Sequence, residues 1–217
     1  MPTVAWLPAL GGALIGLAVG WGIRRLLACL RRGVLLRAGV AEVTCPLVTA
    51  VGAGLAWGSP LLGTVMWAGW LAVALGSVDI VHHRLPDALT LPAIPITLAV
   101  VGGTELMSPD AGSFRTALFV AAGMSALFWA LALVAPRGMG RGDVKLVPSL
   151  ALMAGYVSVA AAVLAVVLAF VLGALLALLG LATRRLTLTS ALPFGPFLLA
   201  GCWLVLVFPG AATALLR

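Results

Sequence analysis

Two of the six acidic residues in this 217-residue chain stand where apolar sequence ends or begins. Asp79 follows the apolar stretch 67–78, and Asp143 lies in Gly138-Met139-Gly140-Arg141-Gly142-Asp143-Val144-Lys145-Leu146, where another apolar run opens. Two facing carboxylates cannot easily both ionise, so one keeps a proton and serves as acid while its charged partner activates a water against a carbonyl carbon. That is aspartyl proteolysis. Gly140 and Gly142, on either side of Arg141, would let a substrate strand approach the backbone closely. The competing reading is that each Asp merely caps a helix or lies at a membrane interface. The acids Glu42, Glu105 and Asp110 fall in loops and are expected to be solvated.

The elements that must position this pair are membrane helices. Hydrophobic residues make up 63% of the chain and charged ones 9%, which excludes a soluble domain, a disordered chain and a collagen-like one. Three cysteines, Cys29, Cys45 and Cys202, form no CxxC pair, so neither a zinc knuckle nor a disulfide framework is indicated. Each bilayer crossing needs about 20 apolar residues. The charge-free runs are 1–23, 43–78, 88–104, 116–136, 146–183 and 194–208. Two are double length and contain breaks, Gly58-Ser59-Pro60 and Gly155-Tyr156-Val157-Ser158, which predicts eight spans in an all-α polytopic bundle. The first run lacks a basic start and is followed by Arg24 and Arg25, so it is expected to be retained rather than removed as a signal peptide.

Alternating the loops across eight spans puts Arg24, Arg25, Arg31, Arg32, Arg37, Arg84, Arg137, Arg141, Lys145, Arg184 and Arg185 on one side, 11 of the 13 basic residues, and only Arg115 and Arg217 on the other. By the positive-inside rule the first side is cytoplasmic and both termini lie outside. The net charge of +7 is thus an orientation signal, and no nucleic-acid partner is expected. Span three then runs inward and span six outward. Asp79 and Asp143 reach the same cytoplasmic boundary although they are 64 positions apart in sequence. Gly12, Gly16 and Gly20 form a small-residue stripe on the first span, read as a close helix contact. The seven tryptophans are read as interfacial anchors and packing groups.

The segment Asp79-Ile80-Val81-His82-His83-Arg84-Leu85-Pro86-Asp87-Ala88-Leu89-Thr90-Leu91-Pro92 resembles the first aspartate motif of type IV prepilin peptidases. The Gly138 to Leu146 segment resembles their GxGD motif, and Leu192-Pro193-Phe194-Gly195-Pro196-Phe197 is similar to the Pro-Phe-Gly-Pro signature before their last helix. The resemblance covers 61–201 of a single integral-membrane peptidase domain, 1–217. It implies an intramembrane aspartic endopeptidase of the inner (plasma) membrane with Asp79 and Asp143 as catalytic pair. Such an enzyme removes the basic leader, after a Gly, from prepilin or pseudopilin precursors at the cytoplasmic face. Gly140, Gly142, Lys145, Pro193, Phe194, Gly195 and Pro196 are the expected substrate-binding or site-shaping residues. Bifunctional members carry a cytoplasmic insert with two CxxC pairs and also N-methylate the product. Here that loop, 24–42, holds Cys29 alone, so cleavage is implied and methyltransferase activity is not expected.

No metal or organic cofactor is called for. His82 and His83 are read as belonging to an interfacial loop close to Asp79. Asp87, after Pro86, is read as a helix-start residue, and Lys145 and Arg141 as offsetting charge at Asp143 or meeting anionic lipid. Two alternatives stay open: a small proton- or cation-coupled secondary transporter using the same acids, and a GxGD protease acting on other membrane helices. The particular pilin and the oligomeric state are not legible.

Overall fold

The computed structural model describes residues 5–30, 39–83, 85–135, 140–187 and 192–214. Among them there is no strand. The helices are α1 (Trp6–Cys29), α2 (Val40–Leu55), α3 (Leu62–His82), α4 (Asp87–Met107), α5 (Phe114–Val134), α6 (Arg141–Val157), α7 (Val159–Ala182), α8 (Gly195–Val207) and the short α9 (Pro209–Ala214), with one 3-10 turn at Pro109–Ala111. Each of the eight expected spans therefore carries a helix, α1 to α8, with boundaries moved by a few residues. Both expected breaks are real. Gly58 takes a left-handed φ of 76° between α2 and α3, a conformation that suits glycine. Ser158 caps α7, its hydroxyl accepting from the Ala161 amide at 3.0 Å.

Five helices, α1, α3, α4, α5 and α7, are long and apolar enough to cross a membrane. The chain is thus a multi-pass, all-helical membrane protein. α2, α6 and α8 are shorter, and a helix of 13 residues such as α8 extends only about 20 Å against a hydrocarbon core of about 30 Å. The residues Arg31, Arg32, Arg37, Arg84, Arg137 and Arg217 used in the charge split, together with Gly138 and Met139, lie outside the described residues. Of the described basic residues, Arg24, Arg25, Arg141, Lys145, Arg184 and Arg185 belong to the ends of α1, α6 and α7 that share a side with Asp79 and Asp143, whereas Arg115 begins α5 at the other.

The centre of the bundle is α3, α6 and α8, with Leu75, Leu146, Met153, Tyr156, Leu199 and Leu206 fully buried. α5 and α7 leave large apolar side chains such as Phe119, Trp129, Phe170 and Leu178 outward, as a helix against lipid must. The α1/α2 pair is seated by the glycine stripe. A Cβ on Gly12 would meet Ala53 Cβ at 2.7 Å, one on Gly16 would meet Pro46 Cα at 2.5 Å, and one on Gly20 would strike the Ala41 carbonyl. Only glycine admits that approach, which bears out the packing reading.

Two tryptophans join helices by part-buried hydrogen bonds. Trp67 Nε1 donates to Thr97 Oγ1 at 2.8 Å, linking α3 to α4, and Trp70 Nε1 donates to Thr49 Oγ1 at 3.3 Å, linking α3 to α2. Trp6, Trp57 and Trp129 are exposed, in keeping with anchoring. Away from the two aspartates, the Ser113 amide donates to the Tyr156 carbonyl at 2.9 Å. That contact closes the turn between α4 and α5 onto the far end of α6.

Candidate active site

Three helix ends meet at one point. Asp79 lies in the last turn of α3, which His83 terminates in a left-handed conformation (φ 49°) while its amide donates back to the Asp79 carbonyl at 2.8 Å. Asp143 is the third residue of α6, after Gly140 as cap. An acid at this position can turn back to the free backbone of the helix start, and its Oδ2 does so, standing 3.0 Å from where a Gly140 Cβ would be. The first residue of α8 is Gly195. A Cβ there would sit 2.6 Å from Asp79 Oδ2 and 3.4 Å from Asp143 Oδ1, so those two oxygens are no farther apart than the two distances together. Asp79 and Asp143 are 5% and 8% exposed.

The Pro193 to Phe197 segment is held so that Gly195 faces the carboxylates. The Phe194 ring rests on Phe170 of α7, centroids 4.9 Å apart and planes at 43°, and the Phe197 ring covers Gly173 of the same helix. Pro196 sits in the first turn of α8, where its missing N–H costs nothing. Gly142 is covered by Leu85, whose Cβ would lie 2.8 Å from an added methyl. The loop after α3 is thus pressed onto the start of α6. Asp79 Oδ2 is buried without a well-formed hydrogen bond, its carboxylate lying beside the Gly195 backbone. One turn inward, Val147, Leu150, Ala151, Ala165, Leu198 and Cys202 line a small apolar gap of about 20 Å³, about the size of one water molecule.

The other sequence expectations divide. Asp87 does begin α4, as read, but it also pairs with Lys145: the ammonium donates to Asp87 Oδ1 at 2.6 Å. Lys145 is therefore turned to α4 and not to Asp143, because two residues along a helix is about 200° of rotation. Glu42, expected to be solvated, accepts from Arg24 Nε and from the Gly39 amide at 3.0 Å, so it caps α2 and ties it to α1. Glu105 is half-buried with Oε2 enclosed, while Asp110 is exposed as expected. His82 and His83 are exposed, and no group of three or more metal-ligating side chains occurs among the described residues. The sequence reading missed the Lys145–Asp87 pair and the parts played by Leu85 and Phe170. The first had a signal, opposite charges just beyond each aspartate motif. The apolar contacts had none.

The sequence matches the family described as the Type IV leader peptidase family over residues 65–178, which includes most of α3, all of α6 and both aspartates. It is similar to the prepilin leader peptidase/N-methyltransferase of Stutzerimonas stutzeri, 25% identical over 201 residues, 90% of this chain and 67% of that protein. A protein of the same name from Pseudomonas putida is 31% identical over 189 residues, 85% of this chain and 62% of its own. One from Pseudomonas aeruginosa is 30% identical over 147 residues, 67% and 49%. The matched part thus spans from about half to two thirds of those relatives' length. No solved structure matches.

Proposed function

Because the chain belongs to the type IV leader peptidase family, we propose that it is an intramembrane aspartic endopeptidase that cuts the basic leader from prepilin or pseudopilin precursors, with Asp79 and Asp143 as the catalytic pair. The observation that carries this is the convergence of two buried carboxylates, 64 residues apart in sequence, on one glycine, Gly195. Buried acids in an apolar bundle are costly unless they have a function. One aspartate of the pair holds a proton and donates it to the peptide carbonyl oxygen as the other draws a proton from the attacking water. The tetrahedral centre then collapses as the amine leaves with a proton, and no covalent enzyme intermediate is needed. Glycine at 195 lets the start of α8 stand directly against both carboxylates, where any side chain would collide with Asp79.

In this reading the whole chain, 1–217, is one peptidase domain crossing the inner membrane eight times, with both termini outside and the pair at the cytoplasmic face. The concentration of described cations at the aspartate end supports that orientation. No metal or organic cofactor takes part. The reading also holds that the product is not methylated, since the segment 24–42 carries one cysteine, Cys29 at the end of α1, although the named relatives carry both activities in their names. The test is to incubate the purified protein in detergent with a tagged precursor pilin and to weigh the products. A single cut after the leader Gly supports the proposal, and an intact precursor or a cut elsewhere defeats it.

A further inference from the structure

The Lys145–Asp87 pair lies at the mouth of the site, and its exposure sets it apart from the other carboxylates. All six acids of the chain are among the described residues. Asp79 and Asp143 are buried in the pair itself. Glu42 is engaged by Arg24 and by the cap of α2, while Glu105 and Asp110 follow α4 to the opposite end of the bundle. That leaves Asp87, whose side chain is 58% exposed and whose counter-ion, the 41% exposed Lys145, is held only by an open surface contact. Such a pair is weak and exchangeable. Its neighbours at this end, Arg141, His82 and His83, cannot attract a cation.

A substrate whose apolar helix stays in the membrane while its cut end faces the cytoplasm carries Lys or Arg on that flank, by the same rule that orients any membrane protein. We propose that Asp87 is the specificity-determining residue that receives this cationic flank, and that Lys145 is a built-in placeholder which the substrate's Lys or Arg displaces. The inference rests on the function proposed above and names what its site recognises. Lys145 is two residues from Asp143 on α6, and Leu85, which packs on Gly142, is two residues from Asp87. The exchange therefore takes place where the pair is anchored. An extended peptide covers about 3.3–3.6 Å per residue, so a cation a few residues from the cut reaches Asp87 around the start of α6. No bond is made or broken in this step; one ammonium or guanidinium replaces another beside the carboxylate.

The experiment compares a precursor pilin bearing Lys and Arg in its leader with the same precursor bearing Gln at those positions, and reads the ratio of the two kcat/KM values within each enzyme. Ratios cancel a general loss of folded protein. The parent should favour the basic leader by about two- to fivefold, the range of an exposed ion pair. Asp87→Asn should bring the ratio to near one, Asp87→Glu should restore it, and Lys145→Gln should raise it above the parent's, the change appearing in KM. If the pair is only a strut between α4 and α6, both neutral variants lose activity on the two precursors equally and the ratio stays at the parent's value, which overturns the proposal. A parent ratio of one overturns it too. Should Asp87→Asn fail to accumulate, Lys145→Gln decides alone. A parent that cuts neither precursor removes this inference together with the function it rests on, whereas a parent that cuts both without preference removes the inference only.

Discussion

A methyl group at position 195 should disable the site without dismantling the fold. In Gly195→Ala the new Cβ would lie 2.6 Å from Asp79 Oδ2 and 3.4 Å from Asp143 Oδ1. The second distance is tolerable, but the first is not. Asp79 must retreat by roughly 0.5–1 Å, whereas catalytic groups must be held to within about 0.5 Å, and a misplacement of about 1 Å costs on the order of 10²-fold in rate. Stability changes less. Overpacking costs about 1–3 kcal/mol, of which up to about 1 kcal/mol is returned because Ala is the better helix former. The assay is single-turnover cleavage of a tagged precursor at saturating enzyme, with thermal unfolding in the same detergent as the check on folding. Gly63→Ala is the control, since Gly63 is also in a helix and nothing lies within 4 Å of its added Cβ. A Gly195→Ala enzyme that is folded and cuts at close to the parent rate would show that α8 does not bear on the two carboxylates.

Three other outcomes are expected. Gly16→Val should lower the thermal midpoint by an overpacking cost of about 1–3 kcal/mol, because its Cβ would meet Pro46 Cα at 2.5 Å, while Gly22→Ala, with nothing within 4 Å, should not; equal midpoints would disprove the tight α1/α2 seam. Mass spectrometry of the mature pilin made by this enzyme with S-adenosylmethionine present should find a free amino terminus, and an added methyl group would show that paired cysteines are dispensable for that reaction. In a variant without the native three cysteines, a cysteine at Asp110 should react with a membrane-impermeant thiol reagent on intact cells, and one at Arg141 should not. The reverse pattern would turn the protein over.

Much of this fold is written in where charge is absent. Uncharged runs and two turn signals were enough to find eight helices, and the bonding of Ser158 shows why one break falls there: a serine before an alanine run is a helix start. The number of crossings is a separate matter, because α2, α6 and α8 fall short of the length that makes crossing evident. The two aspartates were legible because a buried acid is conspicuous in apolar sequence. What could not be read was how each helix is rotated about its axis. In a soluble helix the polar stripe marks the outer face, but here Phe170 and Phe119 face outward as readily as Leu146 faces inward, so periodicity carries little information. Lys145, read as offsetting charge at Asp143 or meeting anionic lipid, is turned by its helix to Asp87. Glu42 was left to solvent for the same reason, its partner Arg24 being on another helix. Glycines fared better, since three of them at four-residue spacing, Gly12, Gly16 and Gly20, mark a contact face.

If Asp79 and Asp143 perform the cut together, neutralising either one must stop it. Asn keeps the size and shape of Asp but neither ionises nor carries an exchangeable acid proton. With a tagged precursor pilin and an excess of enzyme shown to be folded by its thermal transition, Asp79→Asn and Asp143→Asn should each slow cleavage by at least the 10²–10⁴-fold, on the order of magnitude, that positioned acid–base groups contribute. The double variant should be little slower than either single one, because a pair that acts as a unit is lost with its first member. Cleavage at near the parent rate by either folded single variant would contradict the account.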